Sequence, residues 1–146
     1  MPSLPRPHPA ALAGLGLGLA LLAGASHAAD LTVEVSGARS TQGSVSAALY
    51  GSADTWLKEP QKLQGARAPA AQPVTVLVFR NIPPGRYALS AFHDENGNEK
   101  VDTNVVGMPT ERTGFSRDAR GRMGPAAFDD AVIDVQGDMT TAITLR

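Results

Sequence analysis

Alternation of apolar and polar residues marks the first two strands of the chain. Residues 31–36 alternate Leu, Val and Val with Thr, Glu and Ser, and residues 44–49 repeat the alternation after a turn at Gln42-Gly43. A period of two is typical of a strand that buries one face. The pattern predicts two strands, which we expect to pair as a hairpin across that turn.

The second half of the chain carries more strand patterns. Residues 74–79 are β-branched or apolar on both faces, which favours a strand buried inside a sandwich. A turn at Pro83-Pro84-Gly85 leads into a strand over residues 87–92, with Tyr87, Leu89 and Ala91 on one face. Near the end, two β-branched runs flank a glycine-containing turn and predict a last hairpin; they are residues 131–135 and 141–145.

Two connecting segments have weaker signals. Ser52 or Asp54 can cap a short helical turn that places Trp56 and Leu57 against the edge of the core. Residues 65–73 are rich in alanine and proline and low in apolar bulk. We predict that they form an exposed connection.

Six or seven short strands with turn signals between them, and no long helical period, predict an all-β sandwich. The exception is residues 102–129, which show no periodicity but carry several apolar side chains, among them Val105, Met108 and Phe115. Irregular segments of this length are usually functional or disordered. We expect an ordered loop whose apolar side chains anchor it over one end of the sandwich.

The first 28 residues predict a signal peptide. Arg6 precedes an Ala, Leu and Gly run, and Ser26-His27-Ala28 is a small-x-small cleavage site. The run is shorter than the roughly 20 apolar residues of a membrane span. We therefore expect cleavage after Ala28, no membrane span afterwards, one mature domain over residues 29–146, and a periplasmic or secreted location.

Composition removes several functional classes. The chain has 13 basic and 14 acidic residues, and the mature part loses only Arg6 from that balance, so nucleic acid is not an expected partner. There is no cysteine, and His93 is the only histidine after residue 28. This excludes cysteine nucleophiles and zinc sites built on two or more His or Cys ligands within one chain.

The acidic loop (residues 94–102) has the spacing of a calcium loop. Asp94, Asn96, Asn98 and Asp102 stand at its first, third, fifth and ninth places, where a turning backbone aims oxygens at one point. The alternative is a hydrogen-bonded turn, because Asx side chains cap their own backbone. Calcium is therefore the only cofactor that the sequence suggests, and the turn remains the favoured interpretation.

Arginines and one histidine form the second group of candidate site residues. Four arginines fall within eleven residues and could bind an oxyanion; they are Arg112, Arg117, Arg120 and Arg122. We favour the alternative, in which they pair internally with neighbouring acids and pin the loop; these acids are Glu111, Asp118, Asp129 and Asp130. The predicted ligand-binding set consists of His93, Arg112, Phe115, Ser116, Arg117 and Arg120.

The motifs together resemble a bacterial exported family. Residues 79–98, reading F-R-N-I-P-P-G-R-Y-A-L-S-A-F-H-D-E-N-G-N, and the later D-T-N, G-M-P-T-E and G-F-S motifs are similar to DUF2141, a domain of unknown function. The P-P-G-x-Y turn more loosely resembles transthyretin-like and carboxypeptidase-regulatory modules. The resemblance covers nearly all of the mature chain and implies an immunoglobulin-like or prealbumin-like sandwich.

This chain departs from the family pattern inside the acidic loop. The resemblance implies glycine directly after the third ligand, where this chain has Glu99. A helix-loop-helix calcium loop also has glutamate at its twelfth place, where this chain has Val105. Both departures predict that any calcium site is weak.

These observations favour an exported, non-enzymatic sandwich that binds an ion, a small ligand or a partner protein through residues 93–130. The alternative is a hydrolase-type enzyme that uses His93 with Asp94, Asp102 or Glu111. The two differ in the placement of His93, because an enzyme needs it exposed in a concave site.

Overall fold

A computed structural model describes residues 27–146, and the predicted signal peptide lies almost entirely outside them. The described chain forms two packed β-sheets, which confirms the predicted all-β sandwich. Its strands are β1 (Ala29–Ser36), β2 (Ser44–Tyr50), β3 (Gln64–Pro69), β4 (Val74–Ile82), β5 (Gly85–Asp94), β6 (Thr113–Phe115), β7 (Ile133–Val135) and β8 (Met139–Thr144). The helical elements are two 3-10 turns, Glu59–Gln61 and Ser116–Asp118, and the short helix α1 (Phe128–Ala131).

The first sheet has the order β4-β1-β8, and the second has the order β3-β2-β5-β6, with β7 paired to β5. Strand β1 runs antiparallel to β4 and parallel to β8. The other neighbouring strands pair antiparallel. No helix in residues 27–146 has the length and apolar character that crossing a membrane requires.

Both predicted hairpins are wrong, because each pair of strands is divided between different partners. The connection between β1 and β2 is held by His93 on β5. The His93 ring nitrogens contact the backbone of Arg39 and Gln42. This contact carries the chain into the second sheet. At the other end of the chain, the Asp138 carboxylate accepts a hydrogen bond from the Asp30 amide. Strand β8 therefore lies beside β1 and does not pair with β7.

The alanine- and proline-rich segment is also different from its prediction. Residues 64–69 form the edge strand β3, which pairs with β2. Its residues alternate between half-buried and exposed, and Ala66 and Ala68 pack on the core. Small side chains hide this period from a hydrophobicity pattern, which is why no strand was predicted here.

The core lies between the sheets and consists mainly of side chains from β1, β2, β4, β5, β7 and β8. Tyr87, Leu89 and Ala91 share this buried face, as predicted. The largest fully buried apolar side chains are Phe79, Leu31, Leu49, Leu89, Ile143 and Leu145.

A second, smaller cluster surrounds Trp56. Its ring packs against Tyr50, Phe115 and Phe128 at centroid distances of 5.3, 5.7 and 5.9 Å. The indole N–H donates to the carbonyl of Ala126 at 2.8 Å. Trp56 therefore packs at the edge of the core as predicted, and it fixes the chain that precedes α1.

Tyr50 gives this cluster a response to alkaline pH. Burial, and secondarily the Glu59 carboxylate, raise the pKa of Tyr50 to about 12. An unperturbed tyrosine titrates at about pH 10. The stabilisation from neutral Tyr50 is therefore complete below about pH 10 and is lost as the pH rises toward 12.

We expect Tyr50→Phe to reduce the loss of stability between about pH 9 and 11, because the group that must ionise is gone. Tyr87→Phe is the matched control, and it should keep the wild-type loss. Urea midpoints of the three proteins at both pH values measure the effect. An unchanged loss in Tyr50→Phe would refute this assignment.

Candidate functional site

The acidic loop is anchored by Asp94, the last residue of β5. Its side chain is fully buried, and its Oδ1 accepts a hydrogen bond from the Gly97 amide at 2.8 Å. Its Oδ2 accepts from the Glu99 amide and from Arg67 Nη2, both at 2.9 Å. Arg67 also donates to Ser44 Oγ at 2.7 Å and to Glu99 Oε1 at 2.5 Å. Asp94 thus ties the loop to the edge strand β3.

Three of the four predicted calcium ligands meet around Asp102. Asn96 Nδ2 and Asn98 Nδ2 donate to its two carboxylate oxygens at 2.5 and 2.6 Å. The side-chain oxygens of the two asparagines accept from the amides of Asn98 and Lys100. Asp94, the fourth residue, directs both carboxylate oxygens at backbone amides and Arg67.

These contacts are those of a hydrogen-bonded Asx turn. Within residues 27–146, no group of three or more His, Cys, Asp or Glu side chains is placed to hold a metal ion. The calcium site therefore stays a prediction, and the hydrogen bonds account for the loop as the structure shows it.

Glu111 closes the base of this loop from its far side. Its two carboxylate oxygens accept from the amides of Glu95 and Asp102 at 3.1 and 3.2 Å. The side chain is buried, with 8% exposure. It therefore bridges the two ends of the acidic loop and does not face a solvent-filled site.

His93 is buried inside the sandwich, with 0% exposure. Its Nδ1 accepts from the Arg39 amide at 3.2 Å, and its Nε2 lies 2.7 Å from the Gln42 carbonyl, which assigns the ring proton to Nε2. Both ring nitrogens therefore hold the connection between β1 and β2. The solvent-facing histidine that the hydrolase alternative needs is not present at this position.

Ser116 has an equally enclosed position. Its hydroxyl accepts from the Leu89 amide at 2.9 Å and donates to the Ala131 carbonyl at 2.5 Å. The side chain is fully buried. It joins β5 to the segment before β7 and is closed to a ligand in this conformation.

The arginines do not form the predicted internal ion pairs. Arg112 Nη1 donates to the Gly37 carbonyl at 2.8 Å. Arg117, Arg120 and Arg122 are exposed, and in the described part of the chain none of the four lies within 4.0 Å of a carboxylate oxygen. Two of the acidic neighbours bond to backbone amides: Asp118 accepts from the Thr144 amide at 2.8 Å, and Glu111 accepts from those of Glu95 and Asp102. Hydrogen bonds to the backbone therefore pin this loop.

Two of the six predicted ligand-binding residues come together at a shallow depression. Phe115 and Arg120 line it, together with Thr113, Thr144 and Arg146, and its volume is about 250 Å³. Arg117 is exposed and does not line it. The sequence placed Arg120 near Phe115, but it gave no sign that the end of the chain would join them.

The structure also shows a projecting element that the sequence pattern did not identify. Residues 103–109, here called the finger, form a narrow turn closed by a bridge between Thr103 and Pro109. The Asn104 amide donates to the Met108 carbonyl at 2.8 Å, and the Gly107 amide donates to the Asn104 carbonyl at 2.9 Å. Gly107 has a φ of +80°, which suits glycine at this turn.

Asn104 organises the finger a second time through its side chain. Its Oδ1 accepts from the amides of Val106 and Met108, both at 3.0 Å. Below it, the Thr110 amide donates to the Asp102 carbonyl at 2.8 Å, which joins the finger to the acidic loop. The Asn104 and Gly107 pair is the sequence signal that could have predicted this turn.

The apolar side chains of the finger point into solvent. Val105 is fully exposed, Val106 is 76% exposed and Met108 is 60% exposed. The prediction of apolar anchors is therefore wrong for the finger, whereas Phe115, which was predicted with them, does pack on the second cluster together with Phe128. The backbone hydrogen bonds of the finger hold it in shape without burying its side chains.

Comparisons with known proteins identify a family and nothing more specific. No curated protein and no solved structure matches the chain. A family described as "Uncharacterized protein conserved in bacteria (DUF2141)" matches residues 33–144, which include both sheets, the acidic loop and the finger. The chain therefore belongs to the DUF2141 family, as its motifs indicated.

Proposed function

We propose that this protein is an exported binding module that recognises a partner protein through the finger. The observation that carries the proposal is the exposure of three apolar side chains on an ordered turn, namely Val105, Val106 and Met108. Exposed apolar groups that form one patch mark interaction sites more often than isolated ones do. The finger is therefore the best candidate for the contact element.

The hydrogen bonds of the finger favour tight recognition. Asn104 fixes the turn through its backbone and its side chain, and Asp102 and Glu111 fix the base. An element that is ordered before binding loses less conformational entropy when it binds. Full burial of a valine or methionine side chain contributes roughly 1.5–3 kcal/mol, so three such side chains can offset much of the cost of association.

The charge around the finger favours a protein partner over a lipid surface. Asp102 and Glu111 lie at its base, and the adjoining acidic loop adds Glu95 and Glu99, which pair with Arg39 and Arg67. Anionic lipid attracts basic segments and repels carboxylates at the same surface. An apolar cleft with a neutral or basic rim on another protein fits the finger better.

Export is supported by the residues before the fold. The apolar run and the cleavage site have the pattern of a secretory signal. Strand β1 begins at Ala29, directly after the expected cleavage site. Removal of residues 1–28 would therefore leave every described strand intact.

Site-specific cross-linking tests the proposal. A photoreactive phenylalanine derivative at Val106 should give a discrete higher-mass adduct in intact cells of the producing bacterium, because this side chain would lie inside the interface. Gln136 is the matched control, since it is exposed in the turn between β7 and β8. An absent adduct, or equal adducts at both positions, would count against the finger.

A further inference from the structure

We propose that the depression between β6 and the end of the chain binds a small oxyanion, either a carboxylate or a phosphate. This site is separate from the finger and does not depend on the function proposed for it. Arg120 and Arg146 line the depression, and Phe115 supplies an apolar wall. The proposal rests on the shape of the floor, the local charge and the available volume.

The floor of the depression is made of paired backbone. The Thr113 amide donates to the Arg146 carbonyl at 3.2 Å, and the Arg146 amide donates to the Thr113 carbonyl at 3.0 Å. Gly114 lies directly on β8, because a Cβ at this residue would be 2.7 Å from the Thr144 carbonyl oxygen. The two sheets therefore meet here, and the floor does not depend on mobile side chains.

Two basic side chains, those of Arg120 and Arg146, line the depression. Residues 112–122 contain four arginines and one acid, whereas the whole chain has a formal net charge of −1. That acid, Asp118, is held on β8 by hydrogen bonds from the amide and hydroxyl of Thr144. Among residues 27–146, neither Arg120 nor Arg146 forms an ion pair with an Asp or Glu side chain. No acidic side chain in this part of the chain therefore occupies either guanidinium group.

The chemistry of these groups defines the ligand class. A guanidinium donates two parallel N–H bonds to a carboxylate or phosphate, which an ammonium group cannot do. The volume of about 250 Å³ is smaller than the roughly 300–1,000 Å³ of sites for drug-sized ligands. The half-buried ring of Phe115 packs on Trp56 and offers its remaining surface to an apolar group. A small aromatic carboxylate fits all three features.

Nuclear magnetic resonance titrations of the mature protein with benzoate, acetate and inorganic phosphate test the site, with chloride at matched ionic strength as the reference. We expect saturable shifts of the Gly114, Phe115 and Thr144 amides, and tighter binding of benzoate than of acetate. Losing a charged hydrogen bond typically weakens binding about tenfold or more. Arg120→Gln should therefore weaken benzoate binding by about that factor.

Arg122→Gln is the matched control, because Arg122 is exposed but does not line the depression. It should leave the affinity within about twofold, since only screened surface charge is lost. Absent or unsaturable shifts would overturn the proposal. An equal loss of affinity in the two variants would also overturn it, because it would indicate diffuse attraction of the anion to the basic segment. Unchanged binding in Arg120→Gln would overturn it as well.

Discussion

Gly43→Ala is expected to lower the free energy of unfolding by about 3–4 kcal/mol, or to prevent folding. Gly43 has a φ of +72°, and a Cβ on it would lie 2.1 Å from the Asp94 carbonyl oxygen and 2.9 Å from the Glu95 Cα. Both neighbours are backbone atoms that cannot rotate away. The connection between β1 and β2 therefore rests directly on the start of the acidic loop, and alanine would push the two apart.

Gly97→Ala is the matched control for this prediction. Gly97 has a similar φ of +74°, but no atom lies within 4 Å of a Cβ built on it. The free energy of unfolding should therefore fall only by the cost of the left-handed conformation, about 1 kcal/mol. Urea denaturation of both variants measures the difference. Equal losses would show that conformation alone, and not the close approach at Gly43, determines the effect.

Asp94→Ala is expected to cost about 2–4 kcal/mol, because it removes a buried carboxylate that accepts three hydrogen bonds. The cost is below that of a fully buried ion pair, since the side chain of Arg67 is 37% exposed and remains partly hydrated. Asp102→Ala should cost about 1 kcal/mol, because its contacts are largely with solvent-exposed asparagines. Thermal and urea unfolding measure both variants.

Calcium provides a second comparison on the same proteins. We expect the melting temperature of the wild type to be the same in EDTA and in a few millimolar calcium, because hydrogen bonds already engage the loop carboxylates. A ligand that binds only the folded state must raise the melting temperature. A rise in the wild type that disappears in Asp94→Ala would establish an ion site and contradict the turn interpretation.

The sequence predicted the sheet content because local alternation reports burial directly. Residues 31–35 and 87–91 place every second side chain in the core, so their periods are strong. Strand β3 was missed because alanine and glycine bury little surface and leave no clear period. Strand pairing was also missed, because it depends on distant contacts such as those of His93 with Arg39 and Gln42.

The sequence likewise predicted one part of the candidate site and missed another. The Asx spacing of the acidic loop correctly located a specialised turn, because those residues bond to their own backbone. The sequence could not show that His93 and Ser116 are enclosed, since burial is decided by the packing of the two sheets. The apolar character of Val105 and Met108 also led to the prediction that they anchor the loop, although the finger carries them into solvent.

We propose the apolar tip of the finger as the contact element of this protein. The most direct measurement is the yield of the cross-linked adduct at position 106 in the wild type and in a Val105→Asp/Met108→Asp variant. Both substituted side chains are exposed, so the melting temperature of the variant should match that of the wild type. The finger proposal predicts that the adduct disappears in the variant. An adduct of equal yield in both proteins would contradict it.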